Sequence, residues 1–320
     1  MKLLIKLLFI VPLLMSPVVV CGQNQLNTNF THYSGDYLGM PQPSTQPLKF
    51  SPDFISTNGQ TNQCLVFSPD GNHLVYVWAD SIWSKYGMVY SRRIGNRWLD
   101  KTLLKYIGSD QVPFNPIFSL DSKQIIFSMI STAWPNTDLY ALDLLPSGYA
   151  MKPERLNIAV NTEGLDFDIF IDKDSTIYFT GKRDDFVGGT FDIYQYKKQH
   201  GKDVVTNLHQ LNSPLDDAAP YLSPDGSYMV FEKMVNENNL VYNDSTARLI
   251  RIELFVSFRN KNQEWSVPIN LGDKINSKIN RTYRPFISAD GKFLFYTQRN
   301  NKESAIYWVS TKVIEKLRPH

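Results

Sequence analysis

The chain has 320 residues, of which 42% are hydrophobic and 13% aromatic, and its charges nearly balance, with 33 Lys and Arg against 31 Asp and Glu. A net charge near zero gives no reason to expect nucleic acid or an anionic membrane surface as a partner. Its two cysteines, Cys21 and Cys64, exclude a framework of disulfides. The length would allow two ordinary domains, but a set of internal repeats occupies nearly all of it.

Residues 1–22 have the pattern of an export signal. Lys2 and Lys6 precede the apolar run 7–20, which is too short for a comfortable membrane span. We therefore expect an exported protein, periplasmic or associated with the outer membrane, with no transmembrane span in the mature chain. Two processing routes stay open: cleavage before Gln23, or lipidation at Cys21, which ends the lipobox-like segment 18–21 although valine is unusual before the cysteine.

The remaining chain divides by composition. Residues 23–45 are polar and lack periodicity, which predicts a tether. Residues 46–315 carry the repeats and are predicted to form one domain, and residues 316–320 are predicted to be a tail.

A five-residue turn motif recurs along that domain, with aspartate at its fourth position in every copy. The copies are Phe67-Ser68-Pro69-Asp70-Gly71, Phe118-Ser119-Leu120-Asp121-Ser122, Ile171-Asp172-Lys173-Asp174-Ser175, Leu222-Ser223-Pro224-Asp225-Gly226 and Ile287-Ser288-Ala289-Asp290-Gly291. The steps between the aspartates are 51, 53, 51 and 65 residues. A period near fifty with a strand on each side of the turn indicates a radial β-array.

The residue types of the motif suit a tight turn. Proline presets φ, aspartate can accept hydrogen bonds from the turn backbone, and glycine adopts the left-handed conformation. The third copy is one residue shorter up to the next aromatic, Phe179, which predicts a different turn there and would explain its lack of glycine. The serine of the second copy, Ser122, is expected to be strained.

Each copy is predicted to contain four strands, with period-two alternation of β-branched and aromatic residues. The fifth copy ends soon after Trp308-Val309 and lacks a fourth strand. The segment 47–50 followed by Ile55-Ser56 is similar to the segment 268–271 followed by Ile275-Asn276, so the N-terminal piece is expected to supply that strand. The predicted fold is therefore an all-β, five-bladed β-propeller closed by N- and C-terminal strands in one blade, with six blades as the alternative.

The long step of 65 residues indicates an insertion at about 234–249, between the second and third strands of the fourth copy. Long polar loops on rigid scaffolds often carry recognition, although they also tolerate drift. The residues predicted to form an interaction loop are Asn236, Asn238, Asn239, Asn243 and Asp244.

The turn 68–71 with the following Leu74-Val75-Tyr76, and its fourth copy at 223–226, resemble the TolB-type propeller repeat of bacterial envelope proteins. The lead-in 36–41 is similar to the opening of exported TolB-like proteins of Bacteroidetes, and the resemblance covers about residues 37–310. It implies a propeller that acts mostly as a binding scaffold in the periplasm. The N-terminal domain of the family's namesake is absent here, which puts a direct Tol-system role in doubt.

Propeller ligands usually lie at one mouth of the central channel, near the residues that begin each innermost strand. This places the candidate ligand-binding residues at one mouth: Asp110, Glu163, Asp166, Asp216, Asp217 and Arg281. The alternative is that these acids cap turns and pair with Arg281. No cluster of ligands for a metal is visible in the sequence, and no cofactor is expected.

Two functions follow from these features. The first is a non-catalytic, monomeric module that binds an envelope protein or a cell-wall glycan through the channel mouth and the 234–249 loop. The second is a carbohydrate-active hydrolase or lyase that uses Asp166, Asp217 and Arg281. The channel loops contain no histidine and no convincing pair of acids, which favours the first. Cys64 is expected to be a buried, inert thiol.

Overall fold

The computed structural model of the protein describes residues 23–109, 111–130, 137–146, 148–236, 250–277, 281–300 and 303–319. In this part of the chain the structure is almost entirely β. The helical elements are a short 3₁₀ segment, Asp36–Gly39, and a single α-helical turn, α1 (Lys312–Glu315).

Three short strands precede the repeats: β1 (Gln23–Gln25), β2 (Phe30–Ser34) and β3 (Leu48–Lys49). The repeats then form five units of antiparallel strands. The first unit contains β4 (Thr61–Phe67), β5 (His73–Ala79), β6 (Tyr86–Ile94), β7 (Arg97–Leu99) and β8 (Thr102–Leu103), and the second contains β9 (Pro113–Phe118), β10 (Gln124–Ile130), β11 (Thr137–Leu145), β12 (Gly148–Ala150) and β13 (Glu154–Arg155).

The third and fourth units are plain four-stranded sheets that follow chain order. The third contains β14 (Asp166–Ile171), β15 (Ile177–Gly181), β16 (Asp192–Gln199) and β17 (Lys202–Asn207). The fourth contains β18 (Asp217–Leu222), β19 (Tyr228–Asn236), β20 (Ile250–Phe258) and β21 (Ile269–Asn270), and the fifth contains β22 (Arg281–Ile287), β23 (Phe293–Arg299) and β24 (Ser304–Ser310). The insertion predicted at 234–249 therefore falls between β19 and β20, although residues 237–249 lie outside the described ones.

The first strands of successive units contact one another. The contacts run from β4 to β9, β14, β18 and β22, and β22 in turn contacts β4. Because every first strand pairs on its other side with the second strand of its own unit, these five strands surround a common axis. We call the end at which they begin the loop face, and the end with the aspartate turns the turn face.

The five turns share one backbone feature. The residue after the aspartate has positive φ whether it is glycine or serine: 70° at Gly71, 61° at Ser122, 65° at Ser175, 72° at Gly226 and 71° at Gly291. The third turn is nevertheless one residue shorter, as expected: the Asp172 N–H donates to the Thr176 carbonyl four residues on, whereas the equivalent bond spans five residues in the other copies, as from Ser68 to His73. In the second turn, which has no glycine, the Asp121 carboxylate accepts the Ser119 hydroxyl and the Lys123 backbone N–H, so these bonds organise the turn without help from glycine.

The N-terminal segment joins the last unit. Strand β3 pairs antiparallel with β24, with Leu48 opposite Trp308. The Ser56 hydroxyl accepts the Ile306 N–H at 3.1 Å and donates to the Ile306 carbonyl at 3.3 Å. In the fourth unit the side chain of Asn276 makes the equivalent two bonds to Leu254, so residues around Ser56 complete the fifth unit as the sequence similarity suggested.

Residues 23–45, predicted to be a tether, are instead packed onto the sheets. Strand β1 pairs with β12 and β2 pairs with β7. Tyr37 lies among the rings of Phe67, Phe293 and Trp308, and Leu38 is only 2% exposed. The polar composition misled the prediction because a few apolar side chains suffice to anchor a segment whose backbone can pair with an exposed sheet edge.

The predicted tail at 316–320 is also partly ordered against the fourth unit. Arg318 donates to the Ser227 hydroxyl, and its guanidinium lies 4.6 Å from the ring centroid of Phe258. A cation above an aromatic ring is held by both packing and electrostatics. The domain therefore extends to at least residue 318.

Candidate functional site

Two of the predicted acids begin innermost strands but are neutralised within their own units. Asp166 Oδ1 accepts Arg183 Nη2 at 2.6 Å, and Asp217 Oδ1 accepts Lys233 Nζ at 2.5 Å. Both acidic side chains have no exposed area. Neither pairs with Arg281, which is exposed at the start of β22.

The other oxygen of each acid is also bonded. Asp166 Oδ2 accepts the backbone N–H and the hydroxyl of Thr162, and Asp217 Oδ2 accepts the same groups of Ser213. Burial raises the pKa of Asp217, and Lys233 opposes that rise. These carboxylates therefore brace the loops that enter the innermost strands, and in this arrangement they do not face a common substrate.

The remaining predicted residues are scattered. Asp216 Oδ1 accepts the Thr190 N–H at 2.5 Å, and burial raises its pKa. Glu163 is exposed on its loop. Asp110, Cys21, Asn238, Asn239, Asn243 and Asp244 lie outside the described residues, and for Asn236 only the backbone at the end of β19 is described.

A different ring of residues lines the channel, and the sequence analysis missed it. Each innermost strand has one non-glycine residue with positive φ, six positions before the turn aspartate. These residues are Cys64 (58°), Asn115 (55°), Asp168 (54°), Ala219 (50°) and Arg284 (56°). We call them the waist. Their constant spacing from the aspartates was available in the sequence, but their unlike side chains concealed the repeat.

The waist residues sit at β-bulges. In every unit the strand register shifts so that two residues of the first strand oppose one aromatic residue of the second, as Cys64 and Leu65 do opposite Tyr76. A bulge bends the strand and turns its side chain away from the regular alternation. Five such residues in a left-handed conformation are a repeated strain, and strain of this kind concentrates at functional sites.

The bulges also connect neighbouring units. The backbone N–H of Cys64 donates to Thr297 Oγ1 at 3.2 Å, and that of Ala219 donates to Thr180 Oγ1 at 3.0 Å. The backbone N–H of Arg284 donates to Glu232 Oε1 at 2.7 Å. The first unit is thus hydrogen-bonded to the fifth in the same way as the fourth is to the third.

Arg284 carries the positive charge of the waist and pairs with two acids. Its Nη1 lies 2.7 Å from Asp168 Oδ2 and 3.3 Å from Glu232 Oε1. The methyl side chain of Ala219, which belongs to the unit between Asp168 and Arg284, leaves room for this contact. One cation therefore serves two buried acids, and the cluster carries a net negative charge when both are ionised.

The two acids, Asp168 and Glu232, differ in their contacts with Arg284. Burial raises the pKa of Asp168 and also that of Glu232, which reaches about 7. Asp168 has the shorter bond to the guanidinium, whereas Glu232 also accepts the Arg284 backbone N–H. On the other side of the axis Cys64 Sγ lies 3.5 Å from Asn115 Oδ1, and burial raises the pKa of the thiol to about 12, consistent with an inert cysteine.

The loop face carries an exposed apolar tip between β5 and β6. Ile82 is 80% exposed, and the ring of Trp83 lies 5.7 Å from the guanidinium of Arg299 in the fifth unit. Asp80 stabilises the loop by accepting the Ser84 N–H and hydroxyl. Ile82 and Trp83, which we call the tip, are therefore displayed by an ordered loop.

Neither metal ligands nor a membrane helix are visible in the described residues. Among these, no group of three or more His, Cys, Asp and Glu side chains is placed to hold a metal ion. Within the same ranges, no helix has the length and apolarity needed to cross a membrane.

No protein-family model matches the chain, and no curated protein matches its sequence. Solved structures similar to it include a candidate TolB from Agrobacterium tumefaciens, with 16% identity and a TM-score of 0.45 over 86% of this chain and 87% of that one. An oligogalacturonate lyase from Vibrio parahaemolyticus has 10% identity and a TM-score of 0.39 over 84% and 98% of the two chains. A levansucrase mutant from B. subtilis has 12% identity and a TM-score of 0.46 over 86% and 92%.

Proposed function

We propose that the protein is an exported, TolB-like five-bladed β-propeller that acts as a non-catalytic, monomeric scaffold in the bacterial envelope, in the periplasm or at the outer membrane. Its partner would be an envelope protein or a cell-wall glycan bound at the loop face. The 236–244 segment would contribute to that surface, and Cys21 would be the lipidation site if the chain is anchored.

The blade count rests on the contacts of the innermost strands. Five units meet around one axis, and the first and fifth are joined by the bond from Cys64 to Thr297. Strand β3 and Ser56 supply to the fifth unit what β21 and Asn276 supply to the fourth. In such an arrangement the inner edges of the units are short and are protected by the neighbouring units.

The observation that carries the binding function is the tip. A large apolar side chain that is 80% exposed on an ordered loop, beside a tryptophan and arginine pair, has the composition of a protein-binding hot spot. Arg281 lies opposite Arg299 in the strand register and extends the positive charge beside the tip. We therefore favour a partner that presents an apolar group flanked by acidic ones.

The alternative function, a carbohydrate-active hydrolase or lyase, is less well supported. Glycosidases need two carboxyl groups that reach the scissile bond. Asp166 and Asp217 are fully buried and each is already bonded to a cation and to a Ser or Thr. Asp217 would have to leave Lys233 before it could act on a substrate.

The test is capture of a partner from envelope extract by the immobilised chain. We expect a specific partner that is lost with Ile82→Ser and Trp83→Ala together, and weakened by deletion of 236–244. Val267→Ser is the matched control, because Val267 is 82% exposed but belongs to the outer part of the fourth unit. Loss of the partner with the control, or retention with the tip variants, would contradict the proposal.

A glycan panel separates the two functions. Turnover of any cell-wall or plant glycan by the wild-type chain would overturn the non-catalytic proposal. Arg281→Ala is the variant to compare in that assay, because this exposed side chain can be removed without opening the core. Binding of a glycan without turnover would identify the partner as the cell wall instead of a protein.

A further inference from the structure

A pocket lies on the propeller axis, away from the loop face. Its polar end is a cavity of about 40 Å³ at the waist, lined by Cys64, Asn115, Asp168, Ala219 and Arg284. Such a volume holds a few water-sized groups, since one water needs about 10–15 Å³ on this measure. Four apolar residues, each four positions before a turn aspartate, line it as well: Val66, Ile117, Tyr221 and Phe286.

Two polar atoms at this end lack a partner. Among the described residues, Asp168 Oδ1 and Asn115 Nδ2 are buried and make no hydrogen bond. The two residues are only 4% and 7% exposed, and both line the cavity. A buried polar atom without a partner costs stability, so native proteins rarely retain two of them beside one cavity unless something binds there.

The polar cavity continues into an apolar one of about 120 Å³ toward the turn face. Val66, Ile117, Tyr221 and Phe286 line both. Phe118 and Phe170 also line the larger cavity. It reaches the turns, and the residues at the third position of each turn motif, from Pro69 to Ala289, form its rim. The volume is close to that of an engineered apolar cavity, about 150 Å³, that binds benzene.

The shape and polarity together define a ligand. The apolar body has room for about one six-membered ring, and the end of the pocket offers one acceptor, Asp168 Oδ1, and one donor, Asn115 Nδ2. A carboxylate head would be repelled by the negative charge of Asp168. An ammonium head has no acceptor for the Asn115 Nδ2 donor. A neutral head that both donates and accepts satisfies both atoms.

We propose that this axial pocket binds a small aromatic molecule with a carboxamide or hydroxyl head, which enters from the turn face. The ring packs against the cavity-facing sides of Phe170, Tyr221 and Phe286, whose own rings are in contact with one another. The head accepts a hydrogen bond from Asn115 Nδ2 and donates one to Asp168 Oδ1. This site is independent of the loop-face partner, and neither its success nor its failure bears on the tip.

The test uses the full chain and four probes of equal ring size: benzamide, toluene, benzoate and benzylammonium, with binding followed by calorimetry and by ligand-observed NMR. We expect benzamide to bind about tenfold more tightly than toluene, because it gains two hydrogen bonds to buried atoms, and the two charged probes to bind more weakly than benzamide. Equal binding of benzamide and toluene, or no binding of either, would overturn the proposal.

Two variants locate the site. Asn115→Gly keeps a residue that accepts the positive φ of 55° and removes the donor, so benzamide should lose most of its advantage over toluene while toluene binds as before. Ala289→Trp places a large side chain at the exposed rim and should abolish binding of both, whereas Ala289→Ser should leave it unchanged. Unchanged benzamide binding by the Ala289→Trp chain, with its thermal unfolding intact, would place the ligand elsewhere.

Discussion

The waist makes the stability of the protein depend on pH through Glu232. This acid is buried beside Asp168, with the single cation Arg284 shared between them, and its pKa is raised from 4.5 to about 7. Between those two values the folded chain binds a proton that the unfolded chain has released. The free energy of unfolding must therefore fall as pH rises through this window, which is the opposite of an acid held by a salt bridge.

The magnitude follows from the two pKa values of Glu232, folded and unfolded. A pKa difference of one corresponds to about 1.4 kcal/mol, so the contribution of Glu232 should fall by about 2 to 3 kcal/mol between pH 5 and pH 8. Glu232→Gln removes the titration but keeps an oxygen that can accept the Arg284 N–H. The variant should match the wild-type chain near pH 5 and exceed it by 2 to 3 kcal/mol, on the order of that fall, at pH 8.

Urea unfolding at whole pH values from pH 5 to pH 8, followed by tryptophan fluorescence, measures this difference. Titrating groups that do not interact with Glu232 cancel when the two chains are compared at each pH. A difference that stays constant across the series would refute the reasoning, because it would mean that Glu232 does not change its protonation on folding. A decreasing advantage of the variant toward pH 8 would show that Arg284 holds Glu232 ionised.

Three further substitutions test the structure. Ser175→Gly should stabilise the chain by about 0.5–1 kcal/mol in thermal or urea unfolding, because glycine adopts the positive φ of that turn freely, whereas Ser175→Ala should give no gain. Ser56→Ala should cost about 1–2 kcal/mol, since the buried Ile306 N–H loses its partner while the Ile306 carbonyl keeps only the Phe50 N–H; no loss would contradict the junction. Lys233→Met should cost about 3–5 kcal/mol by leaving Asp217 buried and unpaired, while Arg281→Met, at an exposed site, should change stability by less than about 0.5 kcal/mol.

The sequence predicted the repeated sheets well because each carries the same local signals. The turn aspartates and the aromatic residues that follow them recur at a period that the structure reproduces, and the similarity around Ser56 and Asn276 predicted a long-range pairing. These features depend on the backbone, which every unit shares. The polar segment 23–45 was misjudged because the edges that it covers are visible only after the sheets have formed.

The channel residues were harder to predict, since their chemistry differs from unit to unit. Asp166 and Asp217 stand at the expected ends of their strands, but their cations, Arg183 and Lys233, come from the far end of the next strand. The waist lies two positions further along, where a bulge interrupts the alternation. No composition or periodicity signals that interruption, and only the constant distance from the turn aspartates records it.

The pairing of β3 with β24 has a consequence for how the chain matures. The two partners at Ser56 and Ile306 are separated by 250 residues. The N-terminal strand β3 can therefore pair with β24 only after nearly the whole domain has been synthesised. A chain cut short during synthesis lacks β24, so β3 and Ser56 have no partner to pair with. The junction thus works as a length check, because only a chain that reaches β24 can complete this pairing.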